Sequence, residues 1–192
     1  MLQQLLTHLP NDKAAHKADA AVLMALTRED VPRLILTQRA LHLKSHAGEV
    51  AFPGGKRDSS DTSIIHTALR EAQEEIDLQP QDVEVVGELG LFTSKIGIKV
   101  KPIIGLLNEM PPLRGNPDEI DSIFTVPLDV FLQQKPNYQH KVKYMGLNIA
   151  VPSFNHEGYV IWGLTGFMIV EFMRQVYDAD IEWRWPNPLK RK

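Results

Sequence analysis

Residues 70–77 read REAQEEID and place Glu71, Glu74, Glu75 and Asp77 within eight positions. On a helix Glu71 and Glu75 are four residues apart, and like charges at that spacing destabilise an isolated helix by about 0.2–0.5 kcal/mol. Solvated helical faces ordinarily alternate sign, with Lys or Arg four residues after Glu. Here the i+4 partner of Glu71 is another Glu. A hard divalent cation such as Mg²⁺ or Mn²⁺ reverses the sign of that cost, because it prefers carboxylate oxygens as ligands.

Working outward, Ile65, Ala68, Leu69, Ala72 and Ile76 recur at helical spacing and predict a buried stripe. Asp61, Thr62 or Ser63 can cap the helix start. The expected arrangement docks the helix through this stripe and turns Glu71, Glu74 and Glu75 to the opposite side. Arg70 at the edge of the acidic face is expected to pair with one of them. Asp77 falls in the helix end, where Asp tolerates the left-handed conformation better than most residues. Before the helix lie a polar loop (56–61) and Pro53-Gly54-Gly55, where a strand-like run, GEVAFPGG (48–55), is expected to break. Glycine lets a backbone approach a ligand closely. A glycine turn, a loop and a carboxylate helix in one run form a plausible pocket for metal and phosphate.

AAVLMAL (20–26), RLILTQR (33–39), VEVVGELGLF (83–92) and IKVKPIIGLL (98–107) read as strands. DSIFTVPLDVFL (121–132) mixes strand and helix, and 160–177 predicts a C-terminal helix with a buried face, in whose core Trp162 and Phe167 are expected. Strands and helices interleave, with a strand-rich middle, so a mixed sheet flanked by helices is the expected α/β architecture. No linker divides the chain, and 192 residues suit one domain with a real core. Residues 1–19 are expected to be an N-terminal arm or short helix, and 186–192 a frayed tail.

The composition, 43% hydrophobic and 23% charged with net charge −3, is that of a soluble globular protein and argues against a nucleic-acid binder. There are no cysteines, which removes thiolate catalysis and disulfides. The N-terminus lacks a signal-peptide pattern, and the most apolar run (159–170) is too short to span a bilayer. A soluble, cytoplasmic protein without a membrane partner is expected; a homodimer is left open.

GGKRDSSDTSIIHTALREAQEEIDL (54–78) resembles the signature of the Nudix hydrolases: Gly55, five residues, Asp61, eight residues, then Arg70-Glu71-x-x-Glu74-Glu75. It departs at Asp61, where Glu is usual, in a loop longer by one residue, and at Asp77 in place of the closing Gly. ILTQRALHLKSHAGEVAFPGG (35–55) looks like the extension found in the coenzyme A pyrophosphatases of that family, matching at Thr37, Arg39, Ala40, Lys44, Gly48 and Phe52-Pro53-Gly54-Gly55.

The resemblance implies an α/β/α sandwich and metal-dependent hydrolysis of a small-molecule diphosphate. For coenzyme A the products would be 4′-phosphopantetheine and adenosine 3′,5′-bisphosphate. It implies Glu71 and Glu75 as primary ligands of Mg²⁺ or Mn²⁺, with Glu74 a further ligand or a base acting through water. The Gly55 carbonyl would complete the shell, and Arg70 would orient the carboxylates. Glu119 in the NPDEI loop is a second candidate base. Arg39 and Lys44 are the expected phosphate contacts, Gly54 lies beside them, and His46, Lys56 and Arg57 can reach substrate. ADP-ribose or another nucleoside diphosphate derivative is the alternative substrate, and a non-catalytic nucleotide-binding module the alternative role.

Overall fold

The computed structural model describes residues 1–8, 18–138, 140–144 and 147–181. The expected frayed tail, 186–192, and much of the N-terminal arm lie outside the described residues. Within that arm, α1 spans Leu2–Thr7.

The central sheet is built on β1 (Ala20–Thr27) and β7 (Lys99–Leu107), paired in parallel from Ala20↔Val100 to Thr27↔Leu107. Both faces of this pair are covered, which is why the two strands read as near-continuous apolar runs. β5 (Val83–Glu88) and β6 (Phe92–Thr93) pair antiparallel with β7. On the other side β2 (Arg33–Arg39) meets β1 only at Leu26↔Leu34, then runs antiparallel with β8 (Ile120–Pro127). The free start of the β1 edge is taken by β4 (Gly54–Lys56), with Ala21 opposite Gly55. One edge of β1 is therefore shared between two strands, and the sheet forks.

The chain from 48 to 56 bridges this fork. It pairs with β2 as β3 (Val50–Ala51), turns at Phe52-Pro53, and pairs with β1 as β4. Pro53 cannot donate to a ladder, so the break is where expected. Gly54-Gly55, read from the sequence as part of that break, instead form the new strand. A Cβ on Gly54 would overlap the Ala21 carbonyl oxygen and lie 2.6 Å from Val22 Cα, so glycine lets β4 close onto β1.

Helices cover both faces. α2 (Ile64–Ile76) packs against Ala21, Leu23, Ala25, Ile35, Ile103 and Leu107. α4 (Gly163–Tyr177) packs on the opposite face against Met24, Leu26, Leu36, Ile104 and Leu106, with α3 (Leu128–Gln133) contributing Phe131. This is an α/β/α sandwich with a mixed sheet. Ser63 caps α2, accepting the His66 N–H at 3.0 Å. Asp77 ends it at φ 58°, ψ 25°, and the Asp77 and Leu78 amides bond back to Gln73 and Ala72.

Two expectations need correction. Ile65 is 36% exposed, and the buried stripe begins instead at Ile64. The predicted helix at 160–177 starts only at Gly163: Tyr159–Trp162 is β12, paired with β11 (Ser153–His156). Gly163 has φ 65° and turns the chain from hairpin into helix. A further hairpin, β9 (Lys141–Tyr144) with β10 (Leu147–Ala150), was not anticipated. No helix among the described residues is long and apolar enough to cross a membrane.

Gly54→Ala should lower stability by about 1–3 kcal/mol, the usual range for forced overpacking, as read from chemical denaturation. Gly97→Ala is the comparison: its Cβ would meet nothing within 4 Å, so its cost reflects backbone conformation alone.

Candidate active site

The fork in the sheet is closed on one side by α2, and the acidic residues of that helix do not share one environment. At 100° per residue Glu75 stands about 20° from Ala68, inside the buried stripe, and it is 4% exposed. Its Oε2 accepts the Gly54 N–H at 3.0 Å and its Oε1 the Arg39 Nη1 at 3.4 Å. The three carboxylates are thus not turned away from the apolar stripe together, as expected. The helical periodicity carried that signal, but a carboxylate at a core position makes sense only with its partners on β2 and β4.

Glu71, one turn earlier, lies over Gly55, where a Cβ would overlap its carboxyl group. Glu74 points outward, its side chain 58% exposed. Burial raises the pKa of Glu71, opposed by Arg70. Burial also pushes Glu75 up to about 7, opposed by the Gly54 amide and Arg39 and reinforced by the charges of Glu119 and Glu71.

Arg70 is the hub of the charged network. Its Nε and Nη2 grip Asp61 at 2.9 and 3.1 Å, and Nη1 reaches Glu74 at 2.9 Å and Glu71 at 3.0 Å. Nη2 also donates to the Lys56 carbonyl at 3.1 Å. The Asp61 side chain is fully buried and further accepts the Asp58 amide at 2.8 Å and the Thr67 hydroxyl at 2.9 Å, with His66 Nδ1 3.2 Å away. The Arg70 hydrogen bonds hold Asp61 far below the ordinary carboxylate range, and Asp61 in turn raises Arg70. Asp61 is therefore the anchor of Arg70, a role that sequence position alone did not reveal.

Glu119 is delivered by the loop after β7. The Arg114 and Asn116 amides bond the Ile76 and Glu75 carbonyls at 3.1 and 2.8 Å, satisfying orphan acceptors at the end of α2. The Glu119 carbonyl then accepts the Ala40 amide at 2.8 Å. These bonds fix the Glu119 backbone between α2 and the end of β2.

A cavity of about 360 Å³ opens beside β4, lined on one side by Arg39, His46, Glu49, Gly54, Gly55 and Lys56. His46 has φ 57° and pairs with Glu49 at 2.7 Å. Lys44 is exposed and outside this lining. Arg57 instead lines a separate surface depression with Asp19 and Asp58. Phe167 is buried as expected, whereas Trp162 is only half-buried and forms cavity wall rather than core.

Among the described residues no three Asp, Glu or His side chains converge into a ready cation cage; Arg70, Arg39 and the Gly54 amide hold the carboxylates instead. The donor chemistry nevertheless fits a hard divalent cation. Only carboxylates are offered, two of them are desolvated and alike in charge, and Glu71 lies against a strand position that admits no Cβ.

A family model described as NUDIX domain matches residues 17–155. The chain belongs to the Nudix family. A relative from Salmonella dublin named "Uncharacterized Nudix hydrolase NudL" is 41% identical over 173 residues, covering 90% of each chain. The protein of the same name from Salmonella typhimurium is 40% identical over the same length, again covering 90% of each. Among solved structures, a MutT/nudix family protein from Enterococcus faecalis aligns at TM-score 0.53 and 16% identity, covering 88% of this chain and 65% of that one. The M. smegmatis Nudix hydrolase RenU aligns at TM-score 0.50 and 21% identity, covering 61% of this chain and 74% of that one. These structures support the Nudix fold of the chain.

In this Nudix chain Asp61→Asn should cost about 1–3 kcal/mol near neutral pH, since it removes the buried charge that Arg70 grips through Nε and Nη2 and leaves the guanidinium to Glu71 and Glu74 alone. The folded pKa of Asp61 lies below its unfolded value, so the stabilisation is full above the unfolded pKa of about 3.8. It is lost as pH falls. Urea denaturation of wild type and variant should show the gap at pH 7 and its narrowing in acid.

Proposed function

We propose that this Nudix chain hydrolyses the diphosphate bond of coenzyme A or one of its derivatives to 4′-phosphopantetheine and adenosine 3′,5′-bisphosphate. The observation that carries the diphosphatase reading is the pair of desolvated carboxylates, Glu71 and Glu75, set against Gly54 and Gly55 at the rim of a cavity that also receives Arg39. Such a pair is unfavourable alone, and a divalent cation bound there would remove the cost. Coenzyme A as the substrate is supported by the match between residues 35–55 and the coenzyme A pyrophosphatase pattern.

Glu71 and Glu75 would hold Mg²⁺ or Mn²⁺, with the Gly55 carbonyl and Glu74 as further ligands. The cation, when bound, neutralises charge on the diphosphate and acidifies a water molecule. Arg70, fixed by Asp61, orients Glu71 and Glu74. Arg39 lines the cavity and is suited to a phosphate oxygen, its planar fork matching phosphate geometry. Lys44, on the exposed 40–49 segment, would need that segment to approach the substrate. Water adds its oxygen to one phosphorus, the bridging oxygen leaves with the other phosphate, and the water proton passes to Glu119 or Glu74.

Product analysis after incubation with coenzyme A tests this directly. Wild type with Mg²⁺ or Mn²⁺ should release 4′-phosphopantetheine; chelator should stop it, and Glu71→Gln should slow it by about 100-fold or more. Intact coenzyme A alongside rapid cleavage of ADP-ribose would overturn the substrate assignment. No turnover of any diphosphate would overturn the enzymatic reading.

A further inference from the structure

The end of β2 and the loop before β8 meet at two short segments, 39–42 and 116–119. Four hydrogen bonds act on the backbone of Asp118 and Glu119. Asn116 Oδ1 accepts the Asp118 amide at 3.1 Å, and the Asn116 carbonyl accepts the Glu119 amide at 3.0 Å. The Glu119 carbonyl accepts the Ala40 amide at 2.8 Å, and His42 Nε2 lies 3.1 Å from the Asp118 carbonyl. A carbonyl oxygen can only accept, so His42 carries a proton on Nε2 in this contact.

His42 and Asp118 are both exposed. Exposed loops are ordinarily the mobile parts of a fold, their backbone groups met by water. Here the loop is pinned from both sides, and the pinned residue is Glu119. Its charge acts on both Glu71 and Glu75, which places the carboxylate in reach of that pair. Glu74, the other candidate proton acceptor, is 58% exposed and held by Arg70 Nη1 at 2.9 Å. His42 does not line the cavity, so what it contributes runs through Asp118 and Glu119. Within four consecutive residues, then, Arg39 meets Glu75 while Ala40 and His42 hold the Glu119 loop.

We propose that His42 is a positioning residue: through the Asp118 carbonyl it holds Glu119 where that carboxylate, rather than Glu74, takes the proton of the attacking water. This rests on the diphosphatase reading. As the water oxygen bonds to phosphorus and the bridging oxygen departs with the other phosphate, the proton goes to a Glu119 carboxylate oxygen.

The test is steady-state hydrolysis of coenzyme A with Mg²⁺ by wild type, His42→Ala, His42→Gln, Glu119→Gln and the double variant of His42→Ala with Glu119→Gln. Glu119→Gln should lower kcat about 100-fold, the usual contribution of a general base. His42→Ala should lower kcat about tenfold through misplacement of that base, with KM little changed. His42→Gln should recover most of this loss, because its side-chain amide can donate to the same carbonyl. In the Glu119→Gln background His42→Ala should cost nothing more, since the two residues act as one unit. An unchanged kcat in His42→Ala, a raised KM in place of the lost kcat, or losses that multiply in the double variant would overturn the inference. If wild type cleaves no diphosphate, the hydrolase reading falls, and hydrogen exchange at the Ala40 amide decides the positioning role alone. Faster exchange in His42→Ala than in wild type keeps it; equal exchange overturns it.

Discussion

The carboxylate of Glu75 joins three segments that are distant in sequence: α2, which carries it, β4, whose Gly54 amide it accepts, and β2, whose Arg39 it meets. Placing an ionised carboxylate where 4% of its residue surface is exposed is unfavourable unless its hydrogen bonds and counter-charges are in place. The two partners are only a partial remedy, because the group remains pushed up to about 7. The helix is therefore locked in register with the forked strands by an interaction that stays electrostatically unsatisfied. The rest of the site follows from this lock. Glu71 is brought over Gly55, and the loop that caps α2 brings Glu119 alongside.

Arg70 and Asp61 provide the opposite kind of contact. Their charges and hydrogen bonds match, and the loop from 57 to 63 folds around the buried Asp61 side chain through Asp58 and Thr67. The helix thus has a satisfied anchor on one flank and a strained acidic group on the other. The anchor gives the guanidinium a fixed place from which to hold Glu71 and Glu74.

Much of this was legible in the sequence. β2 falls at the expected residues, β1 and β7 within one residue at an end, because apolar runs in a covered sheet are easy to recognise. The left-handed end at Asp77 is what the resemblance implies, since Asp stands in place of the signature's closing Gly and tolerates that conformation. What escaped were features set by tertiary contact. Ile65 is apolar and helically spaced with Leu69 and Ala72, yet it sits in the first turn of α2 and stays exposed. Tyr159–Trp162 continues the apolar pattern of the helix after it, and only the pairing with Ser153–His156 makes it a strand. Grouping Glu75 with Glu71 and Glu74 on one acidic face of the helix sets it outward, although its angular position coincides with Ala68. A helix over 160–177 with a buried face puts Trp162 in the core; its half-buried place on the cavity wall depends instead on the hairpins that precede α4, which carry weak local signals.

The central claim is that Glu71 and Glu75 are held together for a cation. Calorimetric titration of Mn²⁺ into the metal-free protein, wild type beside Glu71→Gln, tests it most directly. The account predicts saturable binding to wild type that the amide weakens by about tenfold or more. Equal binding by both proteins, or none by wild type, would contradict it.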